Sequence, residues 1–228
     1  MPSEKLFNKI RLTSTKDRAV ELIRGAILEG KLAPGERITE LRLSKGMDVS
    51  QSVVREALQE LEFQGLVVRT PKHGTFVTDY GVEDIKEIYQ FRMECEGLAA
   101  GLAKQNGRPD DTDLEDLQNA IDEMQAGADR GEFLEFSRSD LRFHEHIWKM
   151  SGNRYLEKAL RVVATPQFAY VLIRSFRHTG LNLPAIVNQH REIVEKLRTG
   201  SPEECRSFLR DMTEDFLNQI LRSVVESE

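Results

Sequence analysis

The sequence has no apolar run approaching the roughly 20 residues that a helix needs to cross a bilayer. It has only two cysteines, Cys95 and Cys205, in 228 residues. Both fall inside amphipathic patterns, so they read as buried thiols and not as a disulfide, which suits a reducing cytoplasm. The first residues, MPSEKLFNKIRL, lack the apolar core and small-residue cleavage site of a secretory signal. There is no Gly-rich phosphate loop, no Ser or Cys nucleophile signature, no low-complexity segment and no repeat of fixed period. Membrane-spanning, disulfide-stapled and P-loop classes are therefore not expected.

Positive charge is also in short supply. The net charge of −6 is a poor match for a nucleic-acid binder until it is divided along the chain. Residues 1–78 hold 13 Lys+Arg and 10 Asp+Glu, net +3, whereas residues 79–228 hold 19 and 28, net −9. A mildly basic head on an acidic body can bind DNA through the head while the body stays off it. A length of 228 residues with 39% hydrophobic content is enough for two cores. The expected domains are 1–79 and 80–228.

The stretch from Val49 to Thr78 organises the head. Ser50 is suited to cap a helix, because its hydroxyl can accept from an unpaired amide of the first turn. Val54, Ala57, Leu58 and Leu61 then recur at helical spacing and mark one buried face, leaving Gln51, Ser52 and Arg55 on other faces. After Gly65, two short runs, 66–70 and 74–78, flank Pro71-Lys72-His73 and predict a β-hairpin with a basic tip. Upstream, Val20, Ile23 and Ile27 predict a helix ending at Gly30, Leu32–Gly35 a turn, and Thr39 the cap of a short helix to about Lys45 followed by a tight connection at 46–48. Three helices and a hairpin make a winged helix-turn-helix. In that motif the N-terminal residues of the second helix of the helix-turn-helix reach base edges in the major groove.

Beyond a boundary at Tyr80–Val82 the pattern is helical throughout, with expected helices at 83–105, 111–126, 132–150, a shorter one holding Tyr155, Leu156, Leu160 and Val163, another near Pro166, then 184–198 and 202–225. Asp140 and His144 stand four apart and share a helix face, and His190 lies on another inward-facing helix. A carboxylate and imidazoles on facing helices of a bundle can hold a divalent metal. The pair also fits a plainer role, with Asp140 orienting His144 through a hydrogen bond. His146, two residues on, reads as exposed, and His178 as a loop residue able to substitute.

The segments AILEGKLAPGERITE, VSQSVVREALQELEFQGLV and GTFV resemble the DNA-binding head of the GntR family of bacterial transcription regulators. FRMECEGLAAGLA, DLRFHEHIWKMSGN and NQHREIVEKLRTG resemble the helical effector domain of its FadR-like branch, the FCD domain. The resemblance implies a mainly α protein: an N-terminal winged helix-turn-helix with a small β-hairpin, and a C-terminal all-helical antiparallel bundle. It implies DNA contact by Arg42, Ser50, Gln51, Ser52, Arg55, Lys72, His73 and Gly74. Two departures alter what is read: Leu41 stands where the family commonly has Arg, with Arg42 one place later, and Gln51 replaces the Arg that usually follows Ser50. Gln51 can pair with adenine N6 and N7, so the family's usual operator does not transfer.

For the body, the resemblance implies four metal ligands. Three map to Asp140, His144 and His190, for zinc or a similar divalent ion. The fourth falls on Met212, whose thioether is a poor partner for such an ion. Arg92 is expected to clamp an effector carboxylate, with Arg174 or Arg177 and Asn153 nearby. The implied protein is a homodimer on a double-stranded operator, released by a small organic acid, with no membrane partner. An enzyme, a metal-dependent hydrolase with an appended DNA-binding head, is the alternative. A non-specific architectural DNA protein is disfavoured by the acidic body.

Overall fold

The computed structural model describes residues 14–164 and 182–225. Pro166, Arg174, Arg177 and His178 lie outside the described residues.

The head opens with helix α1 (Thr15–Leu28), whose Ser14 and Asp17 satisfy each other's backbone amides in a capping box. Strand β1 (Arg37–Ile38) leads into α2 (Glu40–Met47), capped by Thr39. Asp48 then takes a left-handed turn, φ 52°, into α3 (Gln51–Phe63), capped by Ser50. Gly46 is thus helical, and the tight connection is shorter than the sequence suggests. Strands β2 (Val67–Thr70) and β3 (Gly74–Val77) form the wing. The sheet has three strands in the order β1-β3-β2, all antiparallel. β1 escapes sequence reading because two residues carry no period. It forms because Gly35 N donates to Val77 O and Val77 N to Glu36 O, closing the turn onto the wing. Val54, Ala57, Leu58 and Leu61 have no exposed surface, and pack with Val20, Ile23 and Ile27 of α1 and Ile38, Val67 and Val77 of the sheet.

The body comprises α4 (Val82–Gln105), α5 (Asp111–Arg130), α6 (Phe133–Met150), a helix α7 over 154–164, α8 (Leu183–Thr199) and α9 (Pro202–Val225). Leu117, Ile121 and Met124 of α5, Phe136, Phe143 and Ile147 of α6, Val187, Ile193 and Leu197 of α8 and Leu209 of α9 make its main core. Trp148 packs instead with Leu156, Leu160 and Ala164 of α7. Tyr155, on the same helix, is 69% exposed. Both cysteines are free thiols; Cys205 is buried, and Cys95 only half-buried. Among the described residues, no helix is long and apolar enough to cross a membrane.

Tyr80 joins the two parts. Its hydroxyl donates to Gly65 O at 2.8 Å, beside Thr78 Oγ1 at 2.6 Å, just past the end of α3. Its ring packs against Ile85, Tyr89, Leu217 and Ile220 at the junction of α4 and α9.

α4 and α9 approach closely along their length. A Cβ on Gly97 would stand 2.9 Å from the backbone oxygen of Arg206, and one on Gly101 3.2 Å from that of Pro202. Gly97→Ala therefore forces two backbones apart and is expected to cost about 1–3 kcal/mol of stability. Gly46→Ala, with nothing within 4 Å of the added atom, is expected to stabilise by up to about 1 kcal/mol through helix propensity. Urea denaturation of the two variants checks both signs.

Candidate functional site

The exposed first turn of α3 carries Gln51 and Ser52. Ser50 spends its hydroxyl locally, accepting from Val53 N at 3.4 Å and sharing a 2.8 Å hydrogen bond with Ser52 Oγ. Arg55 lies on the same helix. Its guanidinium is forked onto Glu40 of α2, with Nε 2.9 Å from Oε1 and Nη2 2.6 Å from Oε2. The side-chain bond from Arg55, together with its charge, holds the Glu40 carboxyl below its ordinary range. Arg42 is paired through one nitrogen, Nη1, 2.6 Å from Glu36 Oε1. Both arginines, expected on DNA, hold carboxylates.

At the wing tip Lys72 adopts a left-handed conformation, φ 66°, and Lys72 and His73 are exposed. Gly74 has φ 111°, and a Cβ there would meet Arg37 Nε at 3.2 Å. Its contribution is to let the tip turn and to admit the Arg37 guanidinium. Arg37, on the two-residue β1, is a cation of this face that sequence reading missed, as it missed Glu40.

The second site lies inside the body. Asp140 and His144 of α6 meet His190 of α8, their ligand atoms all within 4.8 Å of one another and all three residues buried. Phe143 edges both rings, at 5.6 Å from His144 and 4.7 Å from His190 between centroids. His190 Nδ1 is 2.8 Å from Ile186 O, and a carbonyl only accepts, so Nδ1 carries the hydrogen. Nε2 lies 2.7 Å from Asp140 Oδ1, in a geometry that is not that of a hydrogen bond. A proton on Nε2, giving an imidazolium–carboxylate pair, or a metal ion shared by the two atoms would each satisfy this contact. His144 Nε2 faces the same Asp140 oxygen at 3.8 Å, too long for the hydrogen bond that the plainer role required. Two imidazole nitrogens and one carboxylate oxygen are a donor set that fits zinc or a similar ion.

These groups open on a cavity whose wall includes Tyr89, Arg92 and Gln189, with Ile186, Leu209, Met212 and Phe216 making it largely apolar. Met212, onto which the expected fourth ligand falls in the sequence, lines the same cavity. Arg92 lines the cavity but is not a lone cation: its Nε donates to Glu96 Oε1 at 2.8 Å, and its guanidinium lies 4.8 Å from the Tyr89 ring centroid. Glu96 has no exposed surface, and its Oε2 is 3.1 Å from His144 Nδ1. Burial pushes the Glu96 carboxyl up, but Arg92 and His144 outweigh it and hold it at about 2. Burial pushes the Tyr89 hydroxyl up to about 12. Glu96 was missed in the sequence, although it lies four residues beyond Arg92 on the same face.

Two expected positions move. Asn153 is not at the cavity: its side chain caps α7, accepting from Tyr155 N at 3.2 Å and Leu156 N at 3.1 Å. His146 is not exposed, because Nε2 is held 3.0 Å from the buried Asp113.

Comparison with known proteins places these features in a family context. Residues 15–77 match the family described as bacterial regulatory proteins, gntR family, and residues 87–215 match the FCD domain. The HTH-type transcriptional regulator YdhC of Bacillus subtilis is 31% identical over 80% of this chain and 80% of its own. A relative from Paenarthrobacter nicotinovorans, named "Probable D-xylose utilization operon transcriptional repressor", is 25% identical over 86% of this chain and 84% of its own. Among solved structures, a GntR regulator from Rhodococcus sp. RHA1 superposes with a TM-score of 0.75 at 26% identity, covering 91% of this chain and 97% of that one.

Arg92 and Glu96 are charges that neither can bury alone. Arg92→Met is expected to cost about 3–5 kcal/mol at neutral pH by stranding a buried carboxylate. Because the folded Glu96 carboxyl sits at about 2 against 4.5 for a free one, its contribution is full above pH 4.5 and is lost as pH falls toward 2. The gap between variant and wild type, read by urea denaturation, should therefore narrow over that window.

Proposed function

The chain belongs to the gntR family of bacterial regulatory proteins and carries an FCD domain, and on that premise we propose that it is a homodimeric repressor released from its operator by a small carboxylate metabolite. It is a transcriptional regulator of the GntR/FCD type. The observation that carries the finer reading is the buried Asp140–His144–His190 cluster opening, with Arg92, on one largely apolar cavity. The name of the Paenarthrobacter relative supports repression.

On the DNA side, Gln51 and Ser52 face the base edges, and Arg55, Arg42, Lys72, His73 and Arg37 face phosphates or the neighbouring minor groove. Arg55 and Arg42 exchange Glu40 and Glu36 for phosphate oxygens on docking. A two-fold dimer would read an inverted repeat with one α3 in each half-site.

On the effector side, Asp140, His144 and His190 would hold a divalent ion. Once bound, such an ion supplies net positive charge and an open coordination position for a carboxylate. Arg92 adds a second cation on the wall, and the apolar residues favour a short carbon skeleton. Tyr89 and Phe216 line this cavity, their rings 6.2 Å apart, and continue into the cluster that holds Tyr80. Tyr80 is bonded at the end of α3. An effector that binds one arrangement of these groups more tightly shifts the head with it, by a coupling of order 1–3 kcal/mol. The hydrolase alternative has less support. Asp140 is the only carboxylate among the described residues lining the cavity, and as a ligand it leaves no general base.

Selection from random duplex DNA is expected to recover an inverted repeat. Gln51→Ala should then relax preference at one base pair by about 1–3 kcal/mol, whereas Arg55→Ala should weaken all sequences alike and lower the salt slope by about one. Recovery of no preferred sequence at any ionic strength overturns the DNA half. Elemental analysis of protein purified without chelator, with His190→Ala beside it, tests the metal. A thermal-shift screen of organic acids with and without divalent ions then tests the effector.

A further inference from the structure

Glu96 is the buried group for which the functions above have no use. It stands on α4 between the Arg92 guanidinium of its own helix and a ring nitrogen of His144, and among the described residues Oε2 makes no other hydrogen bond. Oε1 accepts from Arg92 Nε at 2.8 Å, one turn away on its own helix. Oε2 lies 3.1 Å from Nδ1 of His144, on α6. A carboxylate flanked in this way can only accept, and a neutral imidazole has a single N–H. The contact is favourable only when that hydrogen is on Nδ1. Nε2, turned toward Asp140 Oδ1 at 3.8 Å, is then left with its lone pair. His190 is held at the same nitrogen by a different route, through Nδ1 on the Ile186 carbonyl.

The geometry points to Glu96 as a positioning residue that fixes His144 in its Nδ1–H tautomer and so presents Nε2 as a metal donor, linking Arg92 on the cavity wall to the metal site through one carboxylate. Histidines that bind metals commonly donate their second nitrogen to a carboxylate or a carbonyl, and loss of that partner typically weakens binding about 10–100-fold. Here both types of partner occur in one site, one for each histidine. The link also gives Arg92 a second consequence. Whatever draws its guanidinium toward a ligand loosens its hold on Oε1 and leaves more of the Glu96 charge on His144, which makes Nε2 the stronger donor. The metal part of this inference rests on reading Asp140, His144 and His190 as ligands; the tautomer part rests on Glu96 and His144 alone.

Glu96→Gln separates the alternatives, because an amide has one acceptor and one donor end. With its oxygen turned to the buried Arg92 N–H, its NH2 faces His144 Nδ1. That nitrogen must then accept, and the ring hydrogen moves to Nε2, the atom needed for metal. Two readouts follow. In chelator-treated wild type at pH 8, long-range 1H–15N NMR of the imidazoles is expected to find His144 as the Nδ1–H tautomer, and any other state of that ring overturns the inference. In Glu96→Gln the ring should become Nε2–H, and zinc affinity, measured by competition with a chromogenic chelator, should fall about 10–100-fold. A folded variant with unchanged tautomer and unchanged zinc affinity also overturns it. If the variant does not fold, the wild-type spectrum decides. An Nδ1–H ring that flips in the variant, in a protein that takes up no zinc, upholds the positioning role and removes the metal reading instead.

Discussion

A cation and an anion withdrawn almost completely from water, Arg92 and Glu96, set the terms for the body of this protein. Neither would survive there alone, since an unpaired buried charge costs several kcal/mol. Their pairing occupies one turn of α4, and the free side of the carboxylate reaches His144 on α6. From His144 the polar chain continues through Asp140 to His190 on α8. Three helices are thus registered against one another by polar contacts in the middle of an otherwise apolar bundle. Apolar packing tolerates small slides; buried polar contacts of 3.1 Å between α4 and α6 and 2.7 Å between α6 and α8 tolerate them less. The polar chain therefore gives the cavity a defined shape, while Leu117, Ile121, Phe136 and their neighbours supply most of the burial.

The head follows a different economy. Its core is small and mostly apolar, built from α1, α3 and the three-stranded sheet. Its charges remain at the surface, where Arg55 and Arg42 rest on Glu40 and Glu36. Exposed pairs of this kind are weak and screened by salt. They can be exchanged for phosphate at little cost, which suits a face that must be soluble without DNA. The contrast is between a buried pair that must not break and surface pairs that can be traded.

Much of this was legible in the sequence. Helical spacing of apolar residues located α1, α3, α4, α5, α6, α8 and α9, and the Gly and Pro punctuation located the wing. Charge division foretold a basic head on an acidic body. What escaped lacked a local signal. β1 is two residues long and exists only because the wing is there to receive it. Asn153 and His146 were given the wrong surroundings, since a side chain two or three residues from its partners and one held by a different helix look alike in a sequence. Asp140, His144 and His190 were singled out by spacing and resemblance, but the contact between His190 and Asp140 depends on how α6 and α8 cross. Glu96 could have been found, standing one turn from Arg92. Its neighbour His144, 48 positions away in the chain, could not.

Tyr80 gives the chain a stiff coupling where a loose tether would have served for simple attachment. Its half-buried ring packs on the seam between α4 and α9, and its hydroxyl donates to the Gly65 carbonyl just beyond α3. Thermal tumbling of the head relative to the body must break that bond or pull the ring from the seam. The angular spread of the head is thereby narrowed before any DNA is met. A narrow spread reduces the orientational entropy lost on docking, and it lets the geometry of the bundle, more than the slack of a linker, decide where the head points.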